Sequence, residues 1–240
     1  MPLDILLVIT ATSVIQSIFG VGVLLFGTPL LLLLGYDFLA ALVVLLPISI
    51  AINVLQIIKH HNLIALHFVK DVLRYTIPLV VIFLFIATSG NINIGLLVGA
   101  FLVLVALKDV VPKINSTLIL MFRYERIYLA AMGIIHGMTN LGGSLLTAIV
   151  HGKQYPKDQS RVTIAVCYAM FAVFQIITLL FIKAEYDIKY AENVTLLQLA
   201  VIVFLLTEEL VYTRIDNEKY RRVFALFLLA SGVLLLVKSL

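Results

Sequence analysis

Apolar runs of about twenty residues recur from one end of this chain to the other, separated by short polar loops. A hydrocarbon layer about 30 Å thick takes about twenty residues of α-helix, and backbone inside it must satisfy its own hydrogen bonds. The pattern therefore points to an all-α, polytopic integral membrane protein. Outer-membrane strands alternate polar and apolar residues with period two. The stretch "LLLLLGYDFLAALVVLL" at 30–46 shows no such alternation. Only 12% of the residues are charged, against about 25% in soluble domains.

Composition narrows the partners. The formal charge of +4 is most simply that of loops facing an anionic leaflet, not of a nucleic-acid surface. The single Cys167 lies deep in an apolar run, so no disulfide framework forms within one chain. No basic n-region and small-residue cleavage site precede the first apolar segment, which reads as part of the mature protein. The chain is expected in the inner (plasma) membrane, as a multi-pass protein.

Eight segments can be marked, at about 5–34, 38–58, 72–89, 92–108, 126–150, 161–183, 194–212 and 222–238. The longest loop lies mid-chain and divides a first repeat (1–112) from a second (126–240), with 113–125 as a central cytoplasmic loop. A shift of 120 residues lays "SIFGVGVL" (17–24) over "GMTNLGGS" (137–144) and pairs Gly22 with Gly142. The same shift pairs Ser13 and Ser17 with Gly133 and Gly137. A shift of 119 lays "NVLQII" (53–58) over "AVFQII" (172–177), pairing Gln56 with Gln175, and "GAFLVLVALK" (99–108) resembles "ASGVLLLVK" (230–238). Three matches in the same order predict an internal duplication, a common way to build a secondary transporter.

Charge tests the topology. If all eight segments cross, the 17 basic residues divide 10 to 7 between the two sides, a poor positive-inside signal. If segments one and five instead enter and leave on the same side, the division becomes 14 to 3. The basic side is then cytoplasmic and both termini face outward. Each half would hold one re-entrant hairpin and three crossings, and an odd number of crossings inverts one repeat relative to the other. Length agrees for the first segment: residues 5–34 as one helix would reach about 45 Å. Segment 126–150 is short enough to fit as a single tilted span as well.

The stretch "SIFGVGVLLFGTP" (17–29) places Gly20, Gly22, Gly27 and Pro29 where a plain span favours leucine. In the hairpin reading "GVG" is the tip, where the chain reverses at mid-membrane. The alternative is that these glycines let helices pack closely. At each tip the second arm would begin with free backbone N–H groups and a partial positive charge, and two such ends near the midplane suit an anion.

Around the tips lie Gln16, Ser17, Thr28, Asn53, Gln56, His136, Thr139, Asn140, Ser144 and Gln175. Amides and hydroxyls bind an oxyanion without burying a charge; the competing role is hydrogen bonding between helices, favoured here for Ser17 and Thr28. His136 is the ionisable residue inside an apolar run, able to hold an anion when protonated or to relay a proton. The substrate-binding set is accordingly Gly20, Gly22, Asn53, Gln56, His136, Asn140, Gly142, Gly143, Ser144 and Gln175. His60, His61, His67 and His151 fall in expected loops and suggest no metal site. Lys153, Lys157 and Arg161 read as positive-inside residues, with an anion-attracting vestibule as the alternative, and Glu208 and Glu209 as interfacial.

The duplicated glycine-rich segment, "GVG" at 20–22 and "NLGGS" at 140–144, resembles the TauE/SafE sulfite exporter family over nearly the whole chain. That family's cluster is usually of GxGGG type; here Val23 and Leu24 follow Gly22, and Asn140 and Ser144 flank the second cluster. The resemblance implies an exporter of sulfite, sulfoacetate or related sulfur compounds. It further implies that the segments bearing Gly20, Gly22, Asn140, Gly142, Gly143 and Ser144 line the path.

The expectation is a secondary transporter of a small anion, sulfite or an organosulfonate, working by alternating access around a midplane site. No GxxxxGK[ST] motif is present, so energy would come from a gradient, with a proton as a plausible coupling ion. No enzymatic activity, cofactor, metal or nucleic acid is called for, and a homo-oligomer is compatible with the sequence. The alternatives are a passive anion channel and an intramembrane serine hydrolase using Ser144 with His136. Against the hydrolase, "GGS" is not the GxSxG nucleophile elbow.

Overall fold

The computed structural model describes residues 2–90, 92–107, 123–182, 190–211 and 217–240, and every regular element among them is helical. The first half gives α1 (Leu3–Phe19), α2 (Val23–Leu34), α3 (Phe38–His60), α4 (Leu66–Tyr75), α5 (Ile77–Ser89) and α6 (Ile94–Leu107). The second half gives α7 (Glu125–Thr139), α8 (Gly143–Gly152), α9 (Lys157–Phe181), α10 (Tyr190–Val211) and α11 (Asn217–Ser239). Most of the expected central loop, at 113–122, lies outside the described residues, and so does the boundary drawn at 112.

Four stretches are long and apolar enough to cross a bilayer: Phe38–Leu63, Leu66–Ser89, Lys157–Phe181 and Ala191–Glu208. Ile94–Leu107 and Ala225–Ser239 are shorter apolar helices. The first and fifth segments are each broken into two arms, α1/α2 and α7/α8, and each pair folds back on itself. The Tyr36 hydroxyl, just past α2, donates to both carboxylate oxygens of Asp4 in the first turn of α1, at 3.0 and 2.9 Å. At the other pair, the Lys153 ammonium, just past α8, meets both carboxylate oxygens of Glu125 at the start of α7, at 2.8 and 2.9 Å. Each broken segment thus begins and ends at the same end of the molecule. Partial burial and the adjacent Asp4 carboxylate hold the Tyr36 phenol above its ordinary pKa, so it remains a donor.

The two ends of the bundle carry different chemistry. With Asp4 and Tyr36 lies Lys238, whose ammonium donates to Leu32 O and Leu33 O at the carboxyl end of α2, both at 3.1 Å. With Glu125 and Lys153 lie Phe68, whose ring is 5.3 Å from the Lys153 ammonium, and Tyr75, which Arg126 and Arg74 both approach at 5.6 Å.

Helices α3 and α9 pack together at the centre, and arms and crossings interlock around them: α1 against α10, α7 against α5, α6 against α11. Along α9 the fully buried positions Thr163, Cys167, Phe171 and Gln175 recur every fourth residue, one stripe facing the interior. The approach of α7 to α5 rests on small residues. A Cβ at Gly133 would stand 2.5 Å from Thr76 O, and one at Gly137 2.7 Å from Val80 O. Without a hydrophobic drive in lipid, such backbone contact is a main source of helix association.

One expectation is corrected. The histidines assigned to loops lie in helical structure: His60 ends α3, His61 opens a 3-10 turn (His61–Leu63), His67 belongs to α4 and His151 to α8. Helix α4 replaces most of the expected loop 59–74. It buries Phe68 and Val72, one turn apart, while the flanking residues of both signs stay outside, among them the His67–Asp71 pair at 3.2 Å.

Candidate functional site

Each hairpin tip is built on the same backbone device. In the first, Gly20 takes the left-handed conformation (φ 74°, ψ −4°) and its N–H closes α1 on Gln16 O at 2.8 Å. Two residues later Gly22 lies against α1 itself: a Cβ there would stand 2.7 Å from Gln16 N and 2.9 Å from Thr12 O. In the second, Asn140 takes the left-handed conformation (φ 61°, ψ 14°) with its N–H on His136 O at 2.8 Å. Gly142 then lies against α7, where a Cβ would stand 2.8 Å from Met132 O and 3.1 Å from His136 Cα. Asn tolerates the left-handed region better than other non-glycine residues. Positions 12, 16, 20 and 22 are thus matched by 132, 136, 140 and 142.

The side chains differ. In the first tip Gln16 Oε1 accepts the Val23 N–H at 2.9 Å, and Gln16 Nε2 donates to Asn53 Oδ1 at 3.1 Å. Asn53 Nδ2 in turn donates to Ser49 O at 2.7 Å and to Ser49 Oγ at 3.0 Å. The first N–H of α2, expected free for a ligand, is therefore taken by a side chain of α1. Pro29 sits inside α2 without ending it.

In the second tip the residue at the Gln16 position is His136. Its Nε2 lies 3.2 Å from Gln175 Oε1, and its ring packs on Phe171 with centroids 4.4 Å apart. With that oxygen as acceptor, Nε2 carries the proton and Nδ1 is left as an acceptor. Asn140 Nδ2 donates to Thr28 Oγ1 on α2 at 2.9 Å, joining the tip of one hairpin to an arm of the other. The Ser144 hydroxyl donates to Leu141 O at 3.0 Å. Gly143 faces the Tyr168 hydroxyl so closely that any Cβ would overlap it.

Several buried polar atoms carry no hydrogen bond among the described residues: both amide atoms of Gln56, Gln175 Nε2, His136 Nδ1, Asn140 Oδ1 and Ser13 Oγ. Buried polar groups are almost always paired, so each of these atoms is a candidate partner for water or a ligand. Gln56 and Gln175 are 2% and 0% exposed. Of the residues singled out in the sequence, the fold joins Gly22 and Asn53 through Gln16, and joins Gly142, His136 and Gln175. It turns Asn140 toward Thr28 and leaves Ser144 bonded within its own turn. His136 and Ser144, the two parts of a hydrolase, are each bonded elsewhere. No group of three His, Cys, Asp or Glu side chains among the described residues is arranged to hold a metal ion.

Two residues gain an importance that the sequence did not signal. Arg161, read as a loop charge, is 8% exposed; its Nη2 donates to Ser17 O at 3.0 Å and meets Glu208 Oε1 at 3.1 Å. Glu208, read as interfacial, is correspondingly drawn inward. Thr207, beside it, donates to Ser17 Oγ at 2.7 Å. The one sequence hint was that Arg161 opens an apolar segment and does not stand clear of it.

Comparison with curated proteins and with solved structures returned no significant match. A family model described as sulfite exporter TauE/SafE matches residues 5–235. Nearly the whole chain, with its broken first and fifth segments and its apolar crossings, is covered by that match. The chain belongs to the sulfite exporter TauE/SafE family, a family of membrane transporters.

Proposed function

We propose that the protein is a secondary transporter that exports a small oxyanion, sulfite or an organosulfonate, by alternating access around a site between the two hairpin tips. The observation that carries this reading is the Asn140–Thr28 bond, which joins the tip of one hairpin to the second arm of the other. Non-helical backbone at membrane depth survives only when buried in protein or lining a wet cavity. Both turns meet the first condition, since Gly20, Gly22, Asn140 and Gly142 are all buried.

The two halves act as inverted repeats. Support comes from the matched positions around the tips and from the way each half's first arm packs on a late crossing of the other half, α1 on α10 and α7 on α5. Rocking one half against the other would then expose the same groups to either side. The segregation of Lys238 with the hairpin base at Asp4, away from Lys153, supports the arrangement in which 14 of 17 basic residues are cytoplasmic and both termini are outside.

In this reading Gln56 Nε2 and Gln175 Nε2 donate to the substrate's oxygens. Amide donors suit sulfite because they stabilise charge without adding a buried ion. Asn140 Oδ1 and His136 Nδ1 are acceptors, suited to the hydroxyl of a singly protonated sulfite. That acceptor pair is where a proton would travel with the substrate. Gly20, Gly22, Gly142 and Gly143 shape the turns, and Asn53 fixes Gln16.

The test is saturable sulfite flux in proteoliposomes. Saturation and counterflow are expected, with flux reduced in His136→Ala and Asn140→Ala. A flux that rises linearly with concentration, without counterflow, would make the protein a channel.

A further inference from the structure

We infer that Arg161 is the cationic end of the anion path, and that Glu208 is a built-in competitor that holds Arg161 until an anion takes its place. The inference rests on the transport reading above. Arg161 is the Lys or Arg side chain found buried among the described residues. A charge so placed in a membrane protein is expensive and is retained where it serves ion or substrate movement.

Its surroundings fit that role. Arg161 lies in the first turns of α9, yet its stem reaches the first hairpin tip: a Cβ on Gly20 would stand 3.0 Å from Arg161 Cγ and 3.4 Å from Nε. Gly20 therefore suits its place twice, by its left-handed backbone and by the room it leaves to this side chain. One guanidinium nitrogen serves both Ser17 O, at the carboxyl end of α1, and Glu208 Oε1. A planar guanidinium presents a fork of donors that matches two oxygens of a carboxylate, and equally two oxygens of a sulfite or sulfonate group.

Glu208 is itself shared. The Lys59 ammonium at the end of α3 stands 3.7 Å from the same Oε1, with its side chain about half exposed. A carboxylate with a second, more exposed cation beside it has somewhere to go when Arg161 is claimed by a substrate. Helices α3, α9 and α10 and the tip of α1 all meet at this pair. Exchanging Glu208 for a mobile anion therefore loosens the link between α10 and the tip, and couples binding to opening. The order is set by charge: the anion enters, Arg161 changes partner, and Glu208 turns to Lys59.

The experiment measures sulfite flux in proteoliposomes and the sulfite-dependent rise in melting temperature of the detergent-purified protein. Wild type is set beside Glu208→Gln, Arg161→Gln and Arg161→Lys. Glu208→Gln is expected to lower the half-saturating sulfite concentration several-fold, because the competing charge is gone while a hydrogen-bond acceptor remains. Arg161→Gln should raise it tenfold or more, with Arg161→Lys between. If both Gln variants lose thermal stability while half-saturation stays at the wild-type value, the pair is structural and the inference is overturned. Wild type that shows the sulfite-dependent thermal shift, lost in Arg161→Gln, but no flux would uphold Arg161 and overturn the transport reading. Wild type with neither shift nor flux overturns both.

Discussion

The two hairpin tips share a left-handed residue and a glycine pressed on the preceding arm, and differ in what their side chains are free to do. In the first, Gln16 binds the Val23 N–H and Asn53 together, so the turn closes on itself. In the second, His136 stands at the matching place, and His136 Nδ1, Gln175 Nε2 and Asn140 Oδ1 remain without partners among the described residues. The first tip is tied to α10 through Ser17 and Thr207 and to α9 through Arg161. The second leaves buried polar atoms without a partner among the described residues.

The largest effect is expected where the two tips agree. Gly22→Ala and Gly142→Ala each push a methyl into backbone of the preceding arm, at 2.7 Å from Gln16 N and 2.8 Å from Met132 O. Backbone cannot swing aside as a side-chain end can, and overpacking costs about 1–3 kcal/mol or more. Both variants should show sharply reduced recovery of monodisperse protein and lower melting temperatures. A tolerated alanine at one position alone would break the comparison, by showing that the matched turns are not equally tight.

Where the tips differ, function and stability should separate. His136→Ala is expected to reduce sulfite flux at least tenfold, beyond any loss of folded protein caused by stranding Gln175 Oε1. Gln16→Ala should do the reverse: removing it strands the Val23 N–H and Asn53 Oδ1, and leaving buried groups unpaired costs about 1–3 kcal/mol each. Melting curves and flux on the same preparations check both. Equal loss of flux at equal folded fraction in both variants would erase the distinction between the two tips.

Much of this architecture was legible in the residues. The length of segment 5–34 and the distribution of Lys and Arg favoured a turn at Gly20–Gly22 over close helix packing by the same glycines, and the Asp4–Tyr36 bond closes that hairpin. The same charge argument favoured a hairpin at 126–150, where length also fitted a single tilted span. Helix α4 was hidden because Lys70, Asp71 and Arg74 dilute its apolar stripe to Phe68 and Val72. Arg161 was hidden for another reason. Its partners Ser17 and Glu208 lie far away in sequence, and a one-dimensional pattern cannot separate a basic residue that ends a loop from one that turns inward. Gln16 as the cap of α2 was equally out of reach, since only the reversal of the chain brings it to Val23.

A smaller effect is expected from exchanging the residues that make the turn. Asn140→Gly keeps the left-handed backbone and removes the bond to Thr28, so the fold should hold at a cost of about 1–2 kcal/mol for the stranded hydroxyl. Flux should still fall several-fold, because the acceptor oxygen and the link between hairpins go together. Gly20→Asn also suits the backbone, yet its Cβ would press on Arg161 Cγ at 3.0 Å. It should therefore cost more in stability than Asn140→Gly. If Gly20→Asn is the milder of the two, the crowding at Arg161 is not what keeps glycine in the first tip.

The smallest effect should come from Ser144→Ala. The hydroxyl proton is committed to Leu141 O at 3.0 Å within the same turn, so it is not available to donate to an incoming oxyanion. Its loss leaves the α8 backbone bonds in place, including Leu145 N–H to Gly142 O at 3.0 Å. Sulfite flux within about twofold of wild type is expected, since one net hydrogen bond is worth about 1 kcal/mol and this one is local. The variant also divides the transport reading from the hydrolytic one. A nucleophile cannot be removed without abolishing turnover, whereas a helix-start serine bonded to its own turn can. A loss of flux as deep as that in His136→Ala would place Ser144 among the groups that hold the anion. It would also show that the Leu141 bond opens during the cycle.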